Sequence, residues 1–188
     1  MKNERPRQLS TAEERRETVL RTAIGAFAAR GYWGTTTTEV AKAAGISQAY
    51  VYRLFPNKEL LFTAVVEHCF VLVRASLERA AAEAKGSSAE VVLEAMGDAY
   101  ARLISDNDLM LIQLHAQAAA VSEPAVREVV RHGYARLVEY VRGASGGTEG
   151  EVQEFFARGM LCHLIVSMVA DEVDAPWIRT LSAGITHY

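Results

Sequence analysis

Apolar residues recur at intervals of three and four along almost the whole chain, and no segment alternates apolar and polar side chains over more than a few residues. That spacing lines up one face of an α-helix, whereas a half-buried strand needs a period of two, so an all-α protein is expected. Start and stop signals divide the run. Thr11 with Glu14 three residues on reads as a capping box, followed by apolar positions at Leu20, Ala23, Ile24, Phe27 and Ala28, with Gly31 placed to end the helix. Thr36 and Glu39 form a second capping box for a short helix through Ala44. Gly45-Ile46-Ser47 then makes a turn with a new N-cap, and a helix from Gln48 to Leu54 follows. Asn57 is expected to cap a long helix through Leu61, Val65, Val66, Cys69, Phe70 and Val73 that stops near Lys85, before Gly86-Ser87-Ser88. Four or five more helices should follow, broken at Asp106-Asn107, at Ser122-Glu123-Pro124, across residues 143–150 and at Ala175-Pro176.

At 188 residues, with half of them apolar, the chain can bury one good core and a small second one. The apolar stretch at 159–170 is interrupted by His163 and Ser167 and falls short of the roughly 20 residues a membrane span needs, so no membrane partner is expected. The first twenty residues mix Lys2, Arg5, Arg7, Arg15 and Arg16 with Glu4, Glu13, Glu14 and Glu17 and lack the apolar centre of a signal peptide, which points to the cytoplasm. Cys69 and Cys162 are too few for a disulfide framework and read as reduced core residues. Charge is uneven along the chain. Residues 1–60 hold ten Lys and Arg against six Asp and Glu, a balance of +4, while residues 61–188 hold ten against seventeen, a balance of −7. A basic head on an acidic body suggests that the head meets a polyanion.

The informative stretch runs from Thr36 to Phe55: a short helix, a tight turn at Gly45, and a second short helix from Ser47. This is the spacing of a helix-turn-helix, whose first helix crosses the DNA backbone while the second enters the major groove. Val40, Ala41, Ala44, Ile46 and Val51 are small or branched and let the two helices approach closely, which leaves Gln48, Ala49, Tyr50, Tyr52 and Arg53 to face outward.

The match is wider than this motif. The string TVLRTAIGAFAARGYWGTTTTEVAKAAGISQAYVYRLFPNKELLFTAVVEH resembles the N-terminal domain of the tetracycline-repressor (TetR) family, from Thr18 to about Val66. The resemblance rests on the aromatic-Ala-Ala-Arg-Gly-Tyr run, the threonine cluster, Val-Ala-Lys-Ala-Ala-Gly-Ile-Ser, and Val-Tyr-Arg-Leu-Phe-Pro-Asn-Lys-Glu. It implies a dimeric transcriptional regulator, usually a repressor. The expected organisation is a disordered tail at 1–10, a three-helix DNA-binding domain at 11–57, and a helical-bundle ligand-binding and dimerisation domain at 58–188, with 58–85 as a connecting helix. By matching position, Thr36, Thr37 and Thr38 would bind phosphates at a helix N-terminus. Ser47, Gln48, Ala49 and Tyr50 would lie at the groove-facing start of the recognition helix, and Tyr52 and Lys58 would reach the backbone. Arg53 can read guanine or neutralise a phosphate, the latter being favoured. Tyr50 and Tyr52 have an alternative as partners of the domain core. Gln48-Ala49-Tyr50 stands where many relatives carry Lys-Gly-Thr, so the site read should be this chain's own.

Beyond residue 66 the resemblance fades to a pattern of helices. A helix from about Gly150 to Val173 is apolar on two stripes, one through Phe155, Gly159, Cys162, Val166 and Val169, the other through Val152, Phe156, Met160 and Leu164. A helix apolar on both sides must be buried on both, one plausible cover being a second subunit. The first stripe, with Trp177 and Leu181 of the last helix, is expected at the dimer interface. A pocket for an apolar or amphipathic effector is expected from Tyr100, Leu103, Met110, Leu114, His115, Tyr134, Phe156, Met160 and His163, which combine flexible apolar lining with polar tips. His115, Cys162 and His163 lack any standard ligand spacing, so no metal and no cofactor is expected. No HExxH, GxxxxGK, GxGxxG or GxSxG motif is present, so an enzyme would need an unrecognised site.

Overall fold

The computed structural model describes residues 5–105, 107–168 and 174–185, with side chains from Glu13 onward. The described residues form helices and short loops in the order α1 (Arg5–Gly34), α2 (Thr37–Ala43), α3 (Gln48–Leu54), α4 (Lys58–Glu83), α5 (Ala89–Leu103), α6 (Asp108–Ala120), α7 (Pro124–Ser145), α8 (Glu149–Ser167) and α9 (Pro176–Ser182). Local chemistry accounts for most of the boundaries. The Thr36–Glu39 capping box opens α2, the Ser47 hydroxyl accepts from the Tyr50 amide at the start of α3, and Asn57 Oδ1 accepts from the Leu60 amide at 2.7 Å to open α4. Pro124 occupies the first turn of α7. A capping box not anticipated from sequence, Thr148 with Glu151, opens α8, so the expected loop over 143–150 shrinks to three residues.

Two ends differ from expectation. The first helix begins at Arg5, so Thr11 lies inside it rather than at its cap, and residues 5–10 are helical where a disordered tail was expected. Arg, Gln and Leu are good helix formers, and charge by itself does not prevent a helix. The helix expected to reach Val173 stops at Ser167, and residues 169–173, including the interface candidate Val169, lie outside the described residues.

One hydrophobic core runs through both halves, from Val19 and Phe27 in α1 through Phe62, Val65 and Cys69 in α4 to Ile112 in α6 and Val152 in α8. At its waist the rings of Phe27 and Phe62 meet edge to face with centroids 4.9 Å apart, and Tyr32 lies 5.1 Å from Phe62. Both phenylalanines are completely buried, worth about 1.5–3 kcal/mol each in transfer free energy. Among the described residues α4 is the one helix long and apolar enough to cross a membrane, which corrects the expectation that no segment qualifies. Its apolar residues pack against α1, α5, α6 and α7, the arrangement of a core helix. Burial also pushes the Cys69 thiol up to about 12.

Candidate nucleic-acid interface and effector cavity

The α2–α3 pair closes over fully buried Val40 and Val51, and Gly45 turns the chain between them with φ 66°. Thr35, not singled out from sequence, is buried and donates to the Ala26 carbonyl at 3.0 Å, which ties the turn before α2 to α1. Closure leaves the start of α3 exposed. Ser47, Gln48, Ala49, Tyr52 and Arg53 are all open to solvent, as are Thr36 and Thr38 at the N-terminus of α2.

Thr37 departs from expectation. It is only 6% exposed, and its hydroxyl is engaged twice: it accepts from Gln48 Nε2 at 3.2 Å and donates to the Tyr52 hydroxyl at 3.1 Å. A side chain so held positions its neighbours instead of meeting a phosphate. The relay has a direction. Because Tyr52 accepts from Thr37, its own proton is free to point outward, where a phosphate oxygen would take it. Tyr52 is thus outward-facing rather than a core residue.

Tyr50 is half-buried, but its cover is cationic. The Arg53 guanidinium stacks 4.5 Å from the ring centroid and that of Arg15, from α1, lies at 5.8 Å. Hydrogen bonding from Arg15, and then from Arg53, holds the Tyr50 hydroxyl below its ordinary range. Arg16 lies over the Phe55 ring and Lys58 over Tyr32, at 4.9 and 4.6 Å, so each presents its charge near the helix-turn-helix. Arg15 and Arg16 were read from sequence only as part of a mixed charge run. Glu39 would oppose this positive surface, yet it is committed: the Thr36 amide and hydroxyl bond it and Arg30 lies at 2.5 Å, which together hold its carboxyl below the usual range.

The C-terminal bundle borders a half-open cavity of about 500 Å³. Of the expected pocket residues, Tyr100, Tyr134, Phe156, Met160 and His163 line it. Four do not. Leu103 packs on the main core, while Met110 and Leu114 join Ile104 and Cys162 in a separate cluster. His115 bonds the Ala28 carbonyl from 3.1 Å and lies against Gly31, which places it at the junction of α6 with α1. Helix α6 turns Gln113 to the cavity instead, a buried amide that sequence reasoning missed although it is flanked by Ile112 and Leu114.

The described part of the expected interface stripe of α8 turns inward. Phe155, Gly159 and Cys162 line the cavity, Val166 packs on the Ile104 cluster, and Leu181 packs against Ile165 and Ile178. The other stripe divides: Val152 is buried in the core and Phe156 lines the cavity, whereas Met160 at the cavity edge, Leu164 and the following Met168 are each at least 40% exposed, and Trp177 of α9 is 50% exposed. Both stripes are apolar, and periodicity does not say which turns inward. Among the described residues no group of three or more His, Cys, Asp or Glu side chains is placed to hold a metal ion.

Comparison with known proteins bears on both halves. The family model for bacterial regulatory proteins of the tetR family matches residues 19–65, the stretch that builds the helix-turn-helix. The chain is 42% identical over 59 residues to the nucleoid occlusion factor SlmA of Haemophilus influenzae, a match spanning 31% of this chain and 27% of that protein. It is 26% identical over 117 residues to IcaR, the negative transcriptional regulator of the biofilm operon icaADBC in Staphylococcus epidermidis, spanning 62% of this chain and 60% of IcaR. The chain thus matches about a quarter of the length of one curated relative and three fifths of the other. Among solved structures, a TetR family transcription regulator from Marinobacter aquaeolei superposes with a TM-score of 0.68 at 19% identity, over 92% of this chain and 93% of that one. FadR from Bacillus subtilis, crystallised with stearoyl-CoA, gives 0.67 at 18% identity over 90% and 99%. At such identities the likeness is one of fold, and it extends over nearly the whole chain.

Proposed function

We propose that the chain, whose residues 19–65 match the family model for bacterial regulatory proteins of the tetR family, is a sequence-specific transcriptional regulator, a repressor that grips a palindromic operator as a homodimer and is released by a small molecule. The observation that carries this reading is the outward face of α3, where Gln48, Tyr52 and Arg53 stand exposed beside the N-terminus of α2 and the cations of α1. Thr36, Thr38, Tyr52 and Lys58 contact phosphates and set the docking of the domain. Gln48, with its carbonyl and second N–H unused by Thr37, and Tyr50 read base edges, with Ser47 and Ala49 against the groove. Arg53, stacked on Tyr50, neutralises a phosphate.

A palindrome requires two copies related by a twofold axis. The exposed apolar residues Leu164, Met168 and Trp177 supply the face on which a second copy packs. The cavity receives the effector, an apolar or amphipathic molecule. Its walls include Val73 and Leu77 of α4 and Gln113 of α6. Helix α4, about 39 Å long at 1.5 Å per residue, starts beside α3, and α6 reaches α1 through His115. A ligand that favours one setting of α4 and α6 therefore biases the separation of the two recognition helices, and binding of DNA and effector oppose each other reciprocally. In this reading the protein works by binding, without catalysis, in the cytoplasm where the chromosome lies.

Selection of bound duplexes from a random library at near-physiological salt tests the reading. The expected product is one palindromic site with two half-sites about one helical turn apart. Recovery of no enriched sequence, at low salt as well, would refute it.

A further inference from the structure

The cavity wall holds an acceptor that the chain leaves unused, and the network around it fixes what it needs. Gln113 Nε2 donates to the Leu109 carbonyl at 3.1 Å, which turns Oε1 toward Tyr100, and the Tyr100 hydroxyl donates to that oxygen at 3.1 Å. With its proton committed, the Tyr100 oxygen has only lone pairs to offer His163, so Nε2 of His163 carries the ring proton and donates to it. Burial pushes the imidazole down to about 4, which keeps it neutral near pH 7. Nδ1 is then a bare lone pair. His163 is 2% exposed and lines the cavity, and Nδ1 has no hydrogen-bond partner among the described residues. A ligand whose head group reaches Nδ1 must bring a donor.

The charge of the lining is the second observation. Five carboxylates border the cavity, Glu90, Glu94 and Asp98 from α5 and Glu151 and Glu154 from α8, against Arg158 as the sole Lys or Arg among the described lining residues. Arg158 is paired with Glu154 at 2.8 Å, and Glu151 is held in the capping box by Thr148. Glu90, Glu94 and Asp98 make no ion pair among the described residues. Their field repels an anionic head group and attracts a cation.

We propose that the effector is an amphipathic amine, whose apolar body packs on Leu77, Leu137 and Phe156 and whose protonated nitrogen donates to His163 Nδ1 within the field of Glu90, Glu94 and Asp98. The proposal rests on the reading of this cavity as an effector site and narrows it. It sets the chain apart from FadR with its stearoyl-CoA, whose phosphates would meet the wrong sign of charge.

Calorimetry on the full chain with four probes of one chain length, below micelle formation, tests the class: decylamine, decyltrimethylammonium, decanol and decanoate. Decylamine is expected to bind at least about tenfold tighter than decanoate, with decyltrimethylammonium weaker than decylamine because it lacks N–H. E94Q/D98N should weaken decylamine about fivefold and leave decanol unchanged. H163F should weaken decylamine and decanol, both donors, while sparing decyltrimethylammonium. Decanoate binding as tightly as decylamine, no binding by any probe, or an E94Q/D98N variant indifferent to charge would each overturn the proposal, and the wild-type series decides should H163F fail to fold. The two readings fail separately. A chain that selects a palindrome and prefers decanoate loses the amine and keeps the regulator, whereas one that binds decylamine in this order and enriches no duplex keeps the amine site alone.

Discussion

The helix-turn-helix and the C-terminal bundle are built from the same kind of helix, yet they are specified differently. In residues 35–57 nearly every turn is determined by a neighbour within four positions: Thr36 by Glu39, Ser47 by Tyr50, Asn57 by Leu60. In the bundle the decisive contacts lie far apart in sequence, as between Tyr100 and His163 or His115 and Ala28. Local chemistry fixes the shape of the reading head, whereas the cavity depends on how each amphipathic helix is rotated about its axis.

The largest expected effect falls where the two regions meet. Gly31 and Gly45 share a left-handed conformation, with φ 68° and 66°, but a Cβ on Gly31 would lie 2.7 Å from His115 Nδ1, while nothing lies within 4 Å of one on Gly45. Gly45→Ala should cost about 1–2 kcal/mol, the backbone term alone, and Gly31→Ala about 2–5 kcal/mol because packing strain adds to it. Urea denaturation of the two variants measures the difference, and equal losses would show that the α1–α6 junction is soft.

The next effect belongs to the bundle. The folded pKa of His163, about 4, lies below its unfolded value near 6.5, so the unfolded chain binds the extra proton first. The His163 contribution is therefore present above pH 6.5 and lost as pH falls from 6.5 toward 4, by up to about 3 kcal/mol. His163→Phe should flatten that part of the stability profile, whereas a profile unchanged by the substitution would place the imidazole in water.

Smaller effects separate positioning from reading in the head. Tyr52→Phe removes the outward proton and leaves Thr37 without its acceptor, so affinity should drop about three- to tenfold on every duplex, with no change in the selected sequence. Gln48→Ala should instead alter which sequence is selected, and an identical site before and after would remove it from base reading. The smallest change, Thr36→Ala, deletes one capping box for about 1 kcal/mol of stability.

This contrast explains what was legible in the sequence. The α2, α3 and α4 boundaries could be read because caps and glycines are short-range signals. Thr37 was misread because its place under Tyr52 depends on the packing of α3 across α2, a contact fifteen residues away. The five cavity residues found from sequence were large apolar or polar-tipped side chains on helices that do converge. His115 lies two positions from Gln113 and so turns to the opposite side of α6, and the two apolar stripes of α8 are equivalent until neighbours choose between them. Helical periodicity gives the existence of a buried face, and tertiary packing decides which one.

The central claim, that the exposed start of α3 and its surrounding cations grip a duplex, is tested most directly by the affinity of the full chain for its selected duplex as salt is raised. Each neutralised phosphate releases counterions, so log affinity should fall linearly with log salt, losing about 10³-fold or more between 50 and 200 mM if six or more phosphates are engaged by the dimer. An affinity that stays flat across that range would contradict the account, because phosphate neutralisation by Arg53 and Lys58 is not compatible with it.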